Sequence, residues 1–315
     1  MANETTVQEF ILLGFRGEQQ KRFLLLIFFA ILYMLTLLEN ITIIILVLLD
    51  AHLSQLPMYI LLSNFSWMEM CYVTSVMLRM LLDLASSHGT ISFHACFLQF
   101  YIAFSLGTTE FFFLSAMALD RYLAICHPLH YPQIMCLSSC YVLVAACWIL
   151  GFLAYILPVI LISRLSFCGP NLINHFLCDP GPLLSLACPP LGYAPLVFQI
   201  IISTLFISNV FFAVLSYGTI IFTLMKSSNQ GNRKKAFSTI SMHLLVVTPF
   251  YGSIGGMYLL SGAESPSEIT KAITFFYTSI TPFLNPLIYC LRNDQVKEAL
   301  GRLLKGGTDV NKNHV

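Results

Sequence analysis

Residues 23–49 read FLLLIFFAILYMLTLLENITIIILVLL, a stretch in which Glu39 is the one charged side chain. A membrane-spanning helix needs about 20 consecutive, mostly apolar residues, and this stretch is longer than that. The whole chain has the same character. Hydrophobic residues make up 57% of its 315 residues, charged residues 10%, and mean hydropathy is +0.79, whereas a soluble domain is about 25% charged. Sixteen basic and fifteen acidic side chains cannot cover a soluble surface of this length. A net charge of +1 also leaves no electrostatic footprint for nucleic acid. The chain reads as an integral membrane protein.

Further apolar runs lie at 57–82, 96–125, 139–162, 194–225, 237–260 and 271–291. Most are apolar all round, as helices facing lipid and one another are. The run at 96–125 is the least hydropathic, because Glu110, Asp120 and Arg121 fall in it. The connections are too short for a separate domain. The expected fold is an all-α membrane protein, a seven-transmembrane helix bundle with a short cytoplasmic surface helix. Residues 1–22 are a polar N-terminal segment without a signal-peptide pattern, 23–291 the bundle, and 292–315 a cytoplasmic tail. The tail's piece from Asn293 to Leu304 is weakly amphipathic and suits the membrane surface.

An odd number of spans puts the termini on opposite sides. Lys226, Arg233, Lys234 and Lys235 follow the fifth run, Arg292, Lys297, Arg302, Lys305 and Lys312 follow the seventh, and Arg121 ends the third. Ten of sixteen basic residues thus share one face, which the positive-inside rule makes cytoplasmic, placing the N-terminus outside. Arg16, Lys21 and Arg22 before the first run oppose that bias locally. Asn3-Glu4-Thr5 is a glycosylation sequon on the outer side, whereas Asn40-Ile-Thr42 and Asn64-Phe-Ser66 match the pattern inside spans. Of ten cysteines, Cys96, Cys168, Cys178 and Cys188 fall on the outer, oxidising side, where four thiols allow three pairings.

Residues 117–131, MALDRYLAICHPLHY, end the third run. Asp120-Arg121-Tyr122 there places a permanent cation where a bundle can open to a partner, with Asp120 able to hold Arg121; a snorkelling charge pair at the membrane edge is the plainer reading. The seventh run holds Pro282-Phe-Leu-Asn285-Pro286-Leu-Ile-Tyr289, whose prolines bend the helix while Asn285 can satisfy a freed carbonyl. The sixth opens with Lys235-Ala-Phe-Ser-Thr, then His243, and continues to Pro249-Phe-Tyr251-Gly.

With Pro57-Met-Tyr, Leu-Ser-Asn at 62–64 and Ser216-Tyr217, these motifs run from one end of the chain to the other. Their order resembles that of the olfactory receptor family of rhodopsin-like G-protein-coupled receptors. Glu39, Ile240, Met242 and Leu78-Arg79 depart from the family's usual pattern without touching the Asp-Arg-Tyr or Asn-Pro elements.

The resemblance implies disulfides Cys96–Cys178 and Cys168–Cys188, which would tie a loop of about 30 residues over a pocket mouth. It places a ligand pocket at Phe104, Gly107, Thr108, Ile202, Leu205, Phe206, Tyr251, Ile254, Gly255, Tyr258 and Thr278. That set carries hydroxyls but no charge, which suits a small, neutral, volatile odorant; Gly107 and Gly255 would make room for it. Activation is implied at Asp120, Arg121, Tyr122, Tyr217, His243, Asn285, Pro286 and Tyr289. The partner implied is a heterotrimeric G protein of the stimulatory, olfactory type, raising cyclic AMP, with lipid headgroups as the plainer contact of the basic residues. Glu69 and Glu110 are intramembrane carboxylates that the resemblance puts near Asn40 and Asn285. Two buried like charges oppose each other's ionisation, so a sodium ion or a shared proton is expected there. His175-Phe-Leu-Cys178-Asp179 has the residue types of a copper or zinc site, but a disulfide at Cys178 removes the thiolate, and no metal is expected.

A transporter would show inverted repeats, and the first three and last three runs share no such pattern. An enzyme would need a nucleophile–base pair or metal-ligand set on facing helices, and none is present. The localisation implied is the plasma membrane.

Overall fold

In the computed structural model the described residues are 7–15, 18–86, 89–168, 170–226, 230–260 and 267–310, with side chains described for most but not all of them. Each of the apolar runs is helical: α1 (Gln19–Leu49), α2 (Pro57–Ala85), α3 (Phe93–Cys126), α5 (Leu137–Ala154) continuing into α6 (Ile156–Ser163), α8 (Ala194–Lys226), α9 (Gln230–Leu260), and α10 (Ser267–Phe275) running through a π-helical turn (Phe276–Ile280) into α11 (Thr281–Arg292). The short α4 (Tyr131–Ile134) and α7 (Pro180–Leu186) lie in connections, and α12 (Asp294–Val310) ends the described chain.

Local chemistry sets these limits. Pro57 stands in the first turn of α2, where its missing N–H costs nothing. Ser92 caps α3 by accepting from Ala95 N at 3.3 Å. Two hydroxyls inside the apolar helices return to the preceding turn, Thr36 to Leu32 O at 2.8 Å and Thr109 to Ser105 O at 2.9 Å, so both protons are satisfied within their own helix. The fourth run divides at Tyr155, three residues before Pro158, whose ring cannot follow an unbroken helix.

α3 is the centre, packed against α2, α5, α8 and α9, while α1 packs on α2, α11 and α12. Phe65, Phe113 and Trp148 interlock across α2, α3 and α5, with ring centroids 6.2 and 6.3 Å apart. The outward faces carry large apolar side chains, such as Phe23, Ile31 and Leu48 on α1 and Ile207, Phe211 and Val214 on α8, which water would not tolerate in such a band. Among the described residues, α1, α3, the α5–α6 stretch and α8 are long and apolar enough to cross a membrane.

Within the N-terminal segment, Glu9–Leu12 forms a strand the sequence did not announce, β1, the middle strand of a three-stranded sheet. It pairs antiparallel with β2 (Thr90–Ser92) and parallel with β3 (Leu172–Ile173). Phe10 and Leu12 are buried and Glu9 exposed, and Phe10 packs on Phe93 and Phe167. A period of two is short here and easily hidden among polar neighbours.

Candidate functional site

A cavity of about 440 Å³ lies between α3, α8 and α9, bounded by residues 177–184 of the connection before α8 and by the α10–α11 stretch. That connection is held in place by both expected disulfides: Cys96–Cys178, with Cα atoms 5.5 Å apart, and Cys168–Cys188, at 5.3 Å. Gln99 adds a polar tie, accepting from Cys178 N and donating to Ser75 O, each at 3.2 Å.

Of the residues expected to touch a ligand, Phe104, Gly107, Thr108, Ile202, Leu205, Ile254 and Thr278 line this cavity. Phe206 and Tyr251 stand behind its wall: Tyr251 lies 5.5 Å from Phe111 and 6.4 Å from Phe206, ring to ring, and Phe111 is the lining residue. Gly255 is also outside the lining, and a Cβ there would meet Phe206 Cζ at 3.4 Å, so it admits a neighbouring ring. Gly107 faces Tyr72, whose hydroxyl a Cβ would approach to 3.4 Å. The Tyr258 side chain lies outside the described residues, as do Asn3 and the Met242 side chain.

The lining also includes residues the motif comparison did not supply: Tyr72, Tyr155, Phe198, Gln199, Phe250 and Tyr277, and above all Asp179. The expectation of a charge-free wall is therefore corrected. Asp179 caps α7, its Oδ1 accepting from Gly181 N at 2.9 Å, and burial pushes its carboxyl up from the ordinary 3.8 to about 6 against that hydrogen bond. Adjacency to Cys178 was the available signal, since whatever follows a tethered cysteine is carried to the bundle's mouth.

His175 does not form a metal set with its neighbours. The Cys178 sulfur is spent in the disulfide, and the His175 Nδ1 accepts from Leu177 N at 3.3 Å. Burial and the charge of Lys271 push the imidazole from 6.5 down to about 3. Lys271, itself buried, donates to Glu268 at 2.9 Å and to Gly14 O at 3.2 Å, tying α10 to the N-terminal segment.

Deeper in the bundle, Asn285 donates to Glu69 Oε1 at 2.5 Å. Glu69 Oε2, both Glu110 oxygens, Asn40 Oδ1 and Ser105 Oγ are buried and without a hydrogen-bond partner among the described residues. Glu69 and Glu110 are close enough to repel each other. Ionised carboxylate oxygens accept only, and the Asn40 oxygen and Ser105 hydroxyl can accept beside them, so the set fits a hard cation or a proton between the carboxylates. Asn40 Nδ2 meanwhile donates to Thr36 O at 2.9 Å.

At the far end of α3, Arg121 is held by Asp120, and Tyr131 donates to the other Asp120 oxygen at 2.7 Å. Tyr122 meets His127 Nε2 at 3.1 Å. The Arg121 charge reaches Tyr217, His243 and Tyr289, which gather around it. His243 packs edge-on to Tyr289 at 5.8 Å, and Tyr289 donates to Met117 Sδ at 3.8 Å. The Tyr217 hydroxyl and His243 Nε2 have no hydrogen-bond partner among the described residues. Pro286, next to Asn285, is buried inside α11.

Residues 29–306 match the family model described as olfactory receptor. Human olfactory receptor 11H6 is 49% identical over 308 residues, covering 98% of this chain and 92% of that protein. Human olfactory receptor 11G2 is 46% identical over 299 residues, covering 95% and 86%, and human olfactory receptor 6Q1 is 44% identical over 304 residues, covering 96% and 95%. Identity at this level over nearly the whole length, on a helical scaffold with the cross-linked connection and the Asp120–Arg121 pair in place, settles the class as a receptor and not an enzyme: the chain belongs to the olfactory receptor family.

Proposed function

We propose that this chain is a plasma-membrane odorant receptor that spans the bilayer seven times with its N-terminus outside and α12 along the inner surface. In this reading a small volatile ligand enters the cavity beneath the cross-linked connection and activates a stimulatory, olfactory-type heterotrimeric G protein, raising cyclic AMP. The observation that carries the reading is the cavity's wall. Phe111 on α3 packs 4.9 Å from Phe250 and 5.5 Å from Tyr251 on α9, so a ligand against Phe111 or Phe250 bears directly on the seam between the two helices.

Eight residues toward the other end of α9 lies His243, packed on Tyr289 beside Arg121. A shift of α9 against α3 therefore disturbs contacts at both ends. The Tyr217 hydroxyl and His243 Nε2, buried without hydrogen bonds in this arrangement, stand to gain partners in another one, which lowers the cost of the alternative state. A ligand acts only through its preference for that state. Glu69, Glu110, Asn40 and Asn285 form the ion site of this reading, and a sodium ion there would supply positive charge to otherwise unpaired carboxylate oxygens.

The test is cyclic AMP in cells expressing the chain, against a panel of small volatiles, beside Arg121→Ala at matched surface staining. A dose-dependent rise that the variant lacks is the expected result. A full response from Arg121→Ala would rule out the coupling mechanism.

A further inference from the structure

The cavity has two chemically different ends. Phe111, Leu205, Phe250 and Ile254 make one end apolar. At the other stand Asp179, Gln199 and Tyr277, next to residues 180–184 of the connection. The separation follows from the chain: Asp179 adjoins Cys178, which is bonded to Cys96 in the first turn of α3, and Phe111 lies about four turns further along that helix.

Asp179 does more than its capping role requires. A cap needs one oxygen, and asparagine or serine supplies it without charge. Here one oxygen accepts from Gly181 N, and among the described residues no cation pairs with the carboxylate. Lys271, the basic residue buried at the same end of the bundle, is already committed to Glu268 and the Gly14 carbonyl. The titratable group that faces Asp179 is Tyr277. With a carboxyl brought only to about 6, the side chain is largely ionised at neutral pH.

A second, independent feature favours the same ligand chemistry. Phe104, Tyr155 and Phe198 all line the cavity, with ring centroids 5.5, 6.4 and 6.5 Å apart. They pack in the cluster that holds Cys178, Leu183 and Leu184, and so belong to the connection's end of the cavity. Aromatic faces and a carboxylate lining one cavity are the groups that recognise an ammonium ion.

We propose that the cavity selects small primary amines, with the ammonium group against Asp179 amid Phe104, Tyr155 and Phe198 and the apolar body toward Phe111 and Phe250. The inference rests on the cavity being the ligand site of the receptor reading. Its chemistry is ionic recognition without any covalent step. Gln199 and Tyr277 offer further oxygens for the remaining ammonium protons.

The test pairs isosteres: isoamylamine, cyclohexylamine and 2-phenylethylamine, each against its alcohol. Two readouts are taken, thermal unfolding of the purified receptor for binding and cellular cyclic AMP for signalling. Amines are expected to act at concentrations at least about ten-fold lower than their alcohols, because both donate to the carboxylate but only the ammonium adds a charge of opposite sign. Asp179→Asn, which keeps a cap, is expected to erase that margin by weakening the amines more than the alcohols; Asp179→Ser repeats the test should the amide disturb the connection. Equal potency of amines and alcohols in the unaltered receptor overturns the proposal, as does equal weakening of both by Asp179→Asn, or no thermal shift with any amine. Amines that stabilise the receptor without raising cyclic AMP would leave this inference standing and remove the signalling reading. Alcohols that signal where amines do nothing would do the reverse.

Discussion

At Gly151 on α5 the backbone lies hard against Thr109 on α3. A methyl group there would run into the Thr109 side chain and stand 3.0 Å from the Thr109 Cα, and backbone cannot yield as a flexible side chain can. Gly151→Ala is expected to cost about 1–3 kcal/mol through overpacking, seen as a lower unfolding temperature in detergent. Asp179 and His175 make opposite demands on pH. The Asp179 carboxyl is raised to about 6 in the folded protein, so its contribution to stability is complete below 3.8 and is lost as pH rises through 6. His175 is lowered to about 3, so its contribution is complete above 6.5 and is lost as pH falls toward 3. Asp179→Asn removes the first effect alone. The unfolding temperature of that variant relative to the unaltered protein is expected to be more favourable at pH 7 than at pH 4.5, and a difference constant with pH would refute the assignment. Single residues were legible in the sequence where a motif fixed them, as at Arg121 and Asn285. Asp179 was not, because no local pattern says that a loop residue faces inward; a disulfide 82 residues apart in sequence and the Gln99 bonds decide that.

At the level of elements, long apolar runs needed only their length and composition to be read as helices, and each one is helical. Their interruptions were less visible. The bend at Tyr155 follows from Pro158, but the π-helical turn at Phe276–Ile280 has no comparable marker, since its residues are ordinary helix formers or β-branched. The strand β1 was missed because its partners come from distant parts of the chain: β2 lies some eighty residues away and β3 about twice that. Its hydrogen bonds are nonetheless regular, with Ile11 N to Asn171 O at 2.7 Å and Leu12 N to Gly89 O and Leu13 N to Ile173 O both at 2.8 Å. Phe10→Ala removes a fully buried ring from between Phe93 and Phe167 and is expected to cost the sheet about 3–5 kcal/mol. Hydrogen exchange at Ile11, Leu12 and Leu13 should then accelerate by about two to four orders of magnitude while the α3 amides stay protected. Equal acceleration in α3 would mean that sheet and bundle open together.

For the molecule as a whole, the outward band of Phe, Leu, Ile and Val has to be covered by something other than water. The protein is expected to stay with the membrane fraction through an alkaline carbonate wash and to leave it only with detergent. The Glu69–Glu110 pair can also be probed on the intact receptor. If sodium sits between them, unfolding in sodium chloride should occur at a higher temperature than in choline chloride of equal ionic strength, and Glu110→Gln should abolish the difference. Identical unfolding in both salts would leave the shared proton as the answer. The sheet carries one more consequence, for the order of assembly. β1 is synthesised first, yet as the middle strand it cannot complete its pairing until Ile173 has been made and delivered, after four of the apolar runs have emerged from the ribosome. Until then β2 can cover one edge, and the edge that β3 will take is an open template. A bulky or rigid tag fused close ahead of β1 would compete with the last closure of the fold, and a long, soft linker is the safer design.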